Sequence, residues 1–153
     1  DGQNQKTEIG TAIMTDERIK AINQYNGFNL ATGIKVSDWQ DGLGIVTLMP
    51  APEHTNPAGV IHGGAMMGML DVALALPGSY EDPPLALMPG LTLSLTTQFL
   101  AVATIESGLL TARATKTGGG KNVFFSEGQI TDSKGRLIAT ATGVFKRGRQ
   151  PAS

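Results

Sequence analysis

The amino-acid sequence predicts an α+β protein in which an antiparallel sheet curls around one apolar helix. Three observations carry this prediction. Residues 64–76 run Gly-Ala-Met-Met-Gly-Met-Leu-Asp-Val-Ala-Leu-Ala-Leu and hold one ionisable side chain, Asp71; a helix with almost no polar face has to be buried on most sides. Strand patterns are grouped before and after this helix in separate blocks, the order of an α+β chain. The 153 residues, 41% hydrophobic, suit one domain with a substantial core.

The elements follow in order. Residues 1–14 are expected as an N-terminal extension, 15–148 as the single domain and 149–153 as a C-terminal tail. Residues 15–26 suit a short helix: Thr15 can cap it, Asp16 and Glu17 favour its positive end, Ile19 and Ile22 give an apolar face, and Gly27 stops it. Residues 32–50 read as a hairpin, with Asp41-Gly42 turning between Ile34–Trp39 and Leu43–Met49. Residues 51–61 are a loop with Pro52 and Pro57. Ala, Met and Leu favour helix over 64–76, and Pro77-Gly78 closes it. Residues 77–90 form a proline-rich loop.

Long strands complete the chain. Leu91–Leu100 places Leu91, Leu93 and Leu95 on one face and Thr92, Ser94 and Thr96 on the other. Leu109–Lys116 is the next strand. Gly118-Gly119-Gly120 is expected as a flexible connection. Val123–Thr131 and Arg136–Lys146 are joined by an Asp132-Ser133-Lys134-Gly135 turn.

Composition excludes several functions. A net charge of −1 without a basic cluster argues against a nucleic-acid partner. The absence of cysteine removes thiol catalysis, thiolate metal sites and disulfides, and two histidines cannot make a His-rich metal site. No apolar run reaches the roughly 18 residues of a membrane span, and no signal-peptide pattern opens the sequence. A cytoplasmic protein without membrane contact is expected. The low charged fraction, 16%, fits a surface partly covered by a second subunit.

Asp71 is the residue that most needs a reason. An unpaired carboxylate withdrawn from water costs several kcal/mol or gives up its charge. Helical spacing sets Gly64, Gly68, Asp71 and Ala75 on one stripe with little bulk. Either that stripe is a solvated edge, or it lets a ligand or a second helix come close. Upstream, Gly63 and Gly64 open the helix. Free N–H groups at a helix N-terminus attract negative charge, and without side chains there an oxyanion can approach them.

The string Asn56-Pro-x-Gly-x-x-His62-Gly63-Gly64, with Asp71 nine residues after His62, resembles the hotdog-fold acyl-CoA thioesterases, in particular the PaaI-like (phenylacetate-degradation) branch. The resemblance covers roughly residues 17–147 and includes the Thr-rich strand at 91–100. It implies a hotdog fold, a homodimer that forms the active sites between subunits, often doubled to a homotetramer, and hydrolysis of acyl-CoA or aryl-acyl-CoA thioesters. No cofactor is implied, since CoA belongs to the substrate. On matching positions Asp71 is the general base or nucleophile and the Gly63 N–H polarises the carbonyl. Asn56 holds the water or the carbonyl, His62 orients the loop or touches substrate, and Thr92 supports the attacking water. Gly64, Met67, Lys116, Gly119 and Lys121 are the implied substrate contacts, the lysines facing CoA phosphates. One departure is local: Leu100 is followed by Ala101-Val102 where the family often has Arg-Pro.

Each of these residues also has a plainer role: turn for Asn56, structural imidazole for His62, strand for Thr92, solvated surface for the lysines, core for Met66, Met67 and Met69. His54 is expected as a loop residue without a role and Trp39 as packing in the hairpin. Two alternatives to hydrolysis stand beside it: a hotdog enoyl-thioester hydratase or dehydratase using His62 with Asp71, and a non-catalytic acyl-CoA binder.

Overall fold

The computed structural model describes residues 17–80 and 90–148. The expected extension, Thr15, Asp16, most of the 77–90 loop and the tail lie outside the described residues. The described residues begin in a helix, α1 (17–24). A second, unexpected turn of helix follows, α2 (Phe28–Thr32), with Gly27 as its N-cap and Gly33 as its C-cap. Gly27 thus separates two helices rather than ending one. Asn23 ties α1 to the sheet: its Oδ1 accepts from the Val36 N–H at 2.8 Å and its Nδ2 donates to the Val36 carbonyl at 2.9 Å.

The hairpin forms as expected from β1 (Lys35–Gln40) and β2 (Leu43–Leu48). Gly42 takes φ 79°, the left-handed value that such a turn needs. The apolar helix, α3 (Gly63–Ala75), follows. Then come β3 (Leu91–Phe99), β4 (Leu110–Gly119), β5 (Val123–Thr131) and β6 (Leu137–Lys146). All pair antiparallel in one six-stranded sheet of order β1-β2-β4-β5-β6-β3. The link from β2 to β3 therefore carries the chain across the sheet, and α3 lies along that crossing, against β2 to β6.

The register explains how the helix lies so close. Gly44, Ala114, Gly128 and Ala141 are successive partners across β2, β4, β5 and β6. They form a row of small residues under α3. A Cβ at Gly44 would stand 2.7 Å from the Ala73 carbonyl oxygen, and one at Gly128 would stand 2.8 Å from Leu74 Cδ1. Met69, Leu70, Ala73 and Leu74 are buried over this bed. Trp39, also buried, donates from Nε1 to the Leu76 carbonyl at 2.7 Å. It satisfies one of the carbonyls left open where a helix ends.

Two strand expectations are corrected. The alternation read for residues 91–96 breaks at a bulge between Thr92 and Ser94. Thr92 pairs with buried Phe145 on the helix-facing side, Leu95 pairs with Gly143 on that side, and Ser94 and Thr96 face outward with Val144 and Thr142. The extra residue at a bulge inverts facing. The glycine run is not a free connection either: β4 continues to Gly119, which pairs with Phe124 after a register shift beyond Lys116. Asp132 organises the β5–β6 turn. Its Oδ1 accepts from the Arg136 N–H at 2.9 Å and the Lys134 N–H at 3.0 Å, which hold its carboxyl below the usual aspartate range. Among the described residues no helix is long and apolar enough to cross a membrane.

Candidate active site

The loop into α3 is built from backbone hydrogen bonds. Thr55 and Ile61 bridge, closing residues 55–61 on themselves. Asn56 Oδ1 accepts from the Ala58 N–H at 3.0 Å and the Val60 N–H at 3.3 Å. The side-chain oxygen is thus committed to the turn. The Ile61 N–H donates to the Ala103 carbonyl and the His62 N–H to the His54 carbonyl, each at 2.8 Å. The loop is therefore pinned on two sides before the helix begins.

His62 is the N-cap of α3, and its Nδ1 accepts from the Gly64 N–H at 2.7 Å. The Ala65 and Met66 N–H groups turn back to the His62 carbonyl. Of the first-turn donors, the Gly63 N–H alone makes no hydrogen bond among the described residues. The ring of Phe99, from β3, stands over Gly63: a Cβ there would be 3.3 Å from Phe99 Cζ.

Two turns further along α3, half-buried Asp71 meets β3. The Thr92 hydroxyl donates to Asp71 Oδ1 at 2.5 Å. The bulge makes this contact possible by turning Thr92 toward the helix.

The expected residues therefore form two groups. Asp71 and Thr92 are together, as are Asn56, His62, Gly63 and Gly64. The groups are eight helical residues apart, roughly 12 Å along the axis at 1.5 Å per residue. Met67 lies on α3 with its side chain partly exposed, whereas Met66 and Met69 are core. Lys116 and Gly119 stand at the end of β4 and Lys121 in the turn after it, all exposed and in neither group.

Sequence reasoning missed two residues. His54 is buried rather than idle in a loop: Nδ1 accepts from the Ala51 N–H at 2.9 Å, so Nε2 carries the hydrogen and faces the Thr32 carbonyl at 2.6 Å. Phe28, on α2, covers the small-residue stripe, with its Cζ 3.1 Å from where a Cβ at Gly68 would lie. Nothing local in the sequence signals either contact. Both residues line a cavity of about 240 Å³ that reaches Gly64 and His62. A larger concavity, about 500 Å³, lies among Arg113, Glu127, Gln129 and threonines of the outward sheet face. Its side chains face away from α3, so it belongs to neither group.

A family model described as acyl-CoA thioesterase C-terminal domain matches residues 47–144, well over half of the chain. Among curated proteins none matches. Solved structures share the fold. A mutant of the phenylacetic acid degradation protein PaaI from Thermus thermophilus is 25% identical, with a TM-score of 0.67 over 78% of this chain and 97% of that one. E. coli PaaI, from the phenylacetic acid degradation operon, is 21% identical, with a TM-score of 0.75 over 92% and 97%. Thioesterase HI1161 from Haemophilus influenzae is 23% identical, with a TM-score of 0.72 over 84% and 88%.

Proposed function

Because this chain belongs to the acyl-CoA thioesterase C-terminal domain family and is a thioester hydrolase, we propose that it cleaves an acyl-CoA or aryl-acyl-CoA to the free acid and CoA. Asp71 acts on the thioester as general base or nucleophile and the Gly63 N–H receives the oxyanion. The observation that carries this reading is the Asp71–Thr92 hydrogen bond at 2.5 Å. It holds one carboxylate oxygen and leaves the other to act. A thiolate leaves readily, so a base, an oxyanion donor and a placed water suffice. Family membership sets aside the hydratase and non-catalytic alternatives. The names of the two PaaI proteins direct the first substrates tried to aryl-acetyl thioesters.

The site is read as shared by two copies, as the family resemblance implies. Asp71 and Gly63 stand eight residues apart on one helix, roughly 12 Å of axial rise. The edge strand β3 offers the means of joining. Leu91 is 61% exposed, Leu93 57% and Phe99 49%. An apolar strand edge of this length invites pairing with another strand. Antiparallel pairing of two β3 strands about Leu95 puts Thr92 of one copy opposite the Gln98–Phe99 region of the other. The partner's Phe99 in turn covers the partner's Gly63. One copy thus supplies Asp71 and Thr92, and the other Gly63, His62 and Asn56. A homotetramer would repeat this unit. Gly64 and Met67 border the site, while Lys116, Gly119 and Lys121 remain contacts for CoA phosphates on the family resemblance alone.

The test is free-thiol release from short, long and aryl acyl-CoAs by wild type and Asp71→Asn. The substitution keeps the shape and removes the base, with an expected loss of at least about 100-fold. Near-normal turnover by Asp71→Asn would refute its role.

A further inference from the structure

We propose that His54 is a positioning residue for thioester hydrolysis, the buried side chain that sets where the Gly63 N–H stands. The inference rests on the reading of Gly63 as oxyanion donor. A buried imidazole is tolerated where its two nitrogens find partners. His54 is 8% exposed and has both. Nδ1 accepts from the Ala51 N–H at 2.9 Å, and Nε2 donates to the Thr32 carbonyl at 2.6 Å. This pattern fixes one tautomer of the ring. Each bond reaches a different element. Ala51 comes just after the end of β2, so one bond ties the ring to the sheet. Thr32 ends α2, so the other braces that helix and occupies a carbonyl left open at its last turn.

The same residue holds the loop into α3 through its backbone. The His54 carbonyl accepts from the His62 N–H at 2.8 Å. The short turn over Pro52–His54 sets the direction of that carbonyl. Its ends grip each other twice: the His54 N–H donates to the Ala51 carbonyl at 2.9 Å while the Ala51 N–H donates to the ring. Gly63 follows His62 directly. The N–H groups around it are all held, Ile61 by the Ala103 carbonyl, His62 by the His54 carbonyl and Gly64 by the His62 ring. Of these anchors, the His54 carbonyl is the one whose place depends on a buried side chain. Without the ring's grip the 51–54 turn relaxes, and the His62–Gly63 segment moves with it. A misplacement of about 1 Å at a reacting group can cost about 100-fold in rate.

The two ring bonds are separable. Asparagine puts an acceptor where Nδ1 stands and keeps the Ala51 bond. Glutamine reaches the Nε2 position and keeps the Thr32 bond. The Ala51 bond shapes the turn whereas the Thr32 bond braces it from outside, so Nδ1 carries the effect on Gly63.

The experiment reads kcat and KM of the full chain on the acyl-CoA that wild type cleaves fastest, for His54→Asn, His54→Gln and His54→Leu, with thermal melting beside each. His54→Asn is expected within about threefold of the wild-type kcat. His54→Gln and His54→Leu are expected about tenfold or more below it, with KM within about twofold, since the oxyanion is met in the transition state. Gly63→Pro supplies the second arm. Proline has no N–H and suits a first helical position after extended backbone, here His62 at φ −62° and ψ 136°. Its Cβ would lie 3.3 Å from Cζ of Phe99, an exposed ring that can yield. Gly63→Pro is expected to lose about 100-fold in kcat. Adding His54→Gln to it is expected to cost less than about threefold more. Full additivity, a folded His54→Gln with wild-type kcat, an equal loss in His54→Asn, or a rise in KM that accounts for the loss would overturn the assignment. So would failure of both His54→Gln and His54→Leu to fold, which would leave the ring a role in the fold alone. Wild-type turnover by Gly63→Pro would remove Gly63 as donor, and this assignment with it, while leaving hydrolysis intact. No thiol release by wild type from any acyl-CoA would instead sink the proposed function and all that rests on it.

Discussion

Replacing Thr92 by Val removes one hydroxyl and little else. The side chain keeps its shape, its β-branch and its place opposite Phe145 on β3. What is lost is the 2.5 Å hydrogen bond to Asp71 Oδ1. A hydrogen bond to a charged group contributes about 1.5–3 kcal/mol. At about 1.36 kcal/mol per decade, that is about 10- to 150-fold in rate if the contact is needed in the transition state. The lower part of that range is expected if water can replace the hydroxyl at a strand that is exposed in the single chain. The assay is steady-state thiol release, read as kcat and KM separately, with thermal melting as a control. The loss is expected in kcat with KM nearly unchanged, because the hydroxyl positions the base rather than the substrate. In an Asp71→Asn background the same change should add less than about threefold, since groups that act as a unit are not additive. A kcat within about twofold of wild type, or full additivity with Asp71→Asn, would refute the coupling.

Other outcomes follow from the same geometry. Leu93→Arg, on the exposed edge strand, should yield a folded monomer without thioesterase activity. Sedimentation together with thiol release checks this, and an active monomer would disprove the two-copy site. His62→Ala should destabilise the protein by about 1 kcal/mol through loss of the α3 cap, whereas His62→Ser should restore most of that in a urea titration. Gly44→Ala should cost about 1–3 kcal/mol, because its Cβ would meet the Ala73 backbone carbonyl and Leu76 Cβ at 2.7 and 2.8 Å. The urea midpoint measures it, and an unchanged midpoint would mean that α3 is not tightly seated on β2.

Residue order was enough to set most of the elements, and the thioester chemistry came with the resemblance carried by the Asn56–Gly64 string and Asp71. The helix was legible because its Gly-Gly opening, its apolar run and its closing Pro-Gly lie within a few residues of one another. The same holds for the Asp41-Gly42 and Asp132–Gly135 turns. Asp71 stood out because a single charge in an apolar run is visible without knowing any contact. The Gly63-Gly64 start was readable as a helix opening with room for an anion. Long-range packing settled which face Thr92 takes, because a bulge is set by pairing with β6 and not by residues 91–96. It aligned Gly44, Ala114, Gly128 and Ala141, residues from four strands that register alone can bring into one row. It buried His54 through a carbonyl 22 positions away and laid Phe28 on Gly68. Local patterns follow from the neighbours of each residue in the chain, whereas register, cover and distance depend on which remote segments fold together, and on that the linear pattern is silent.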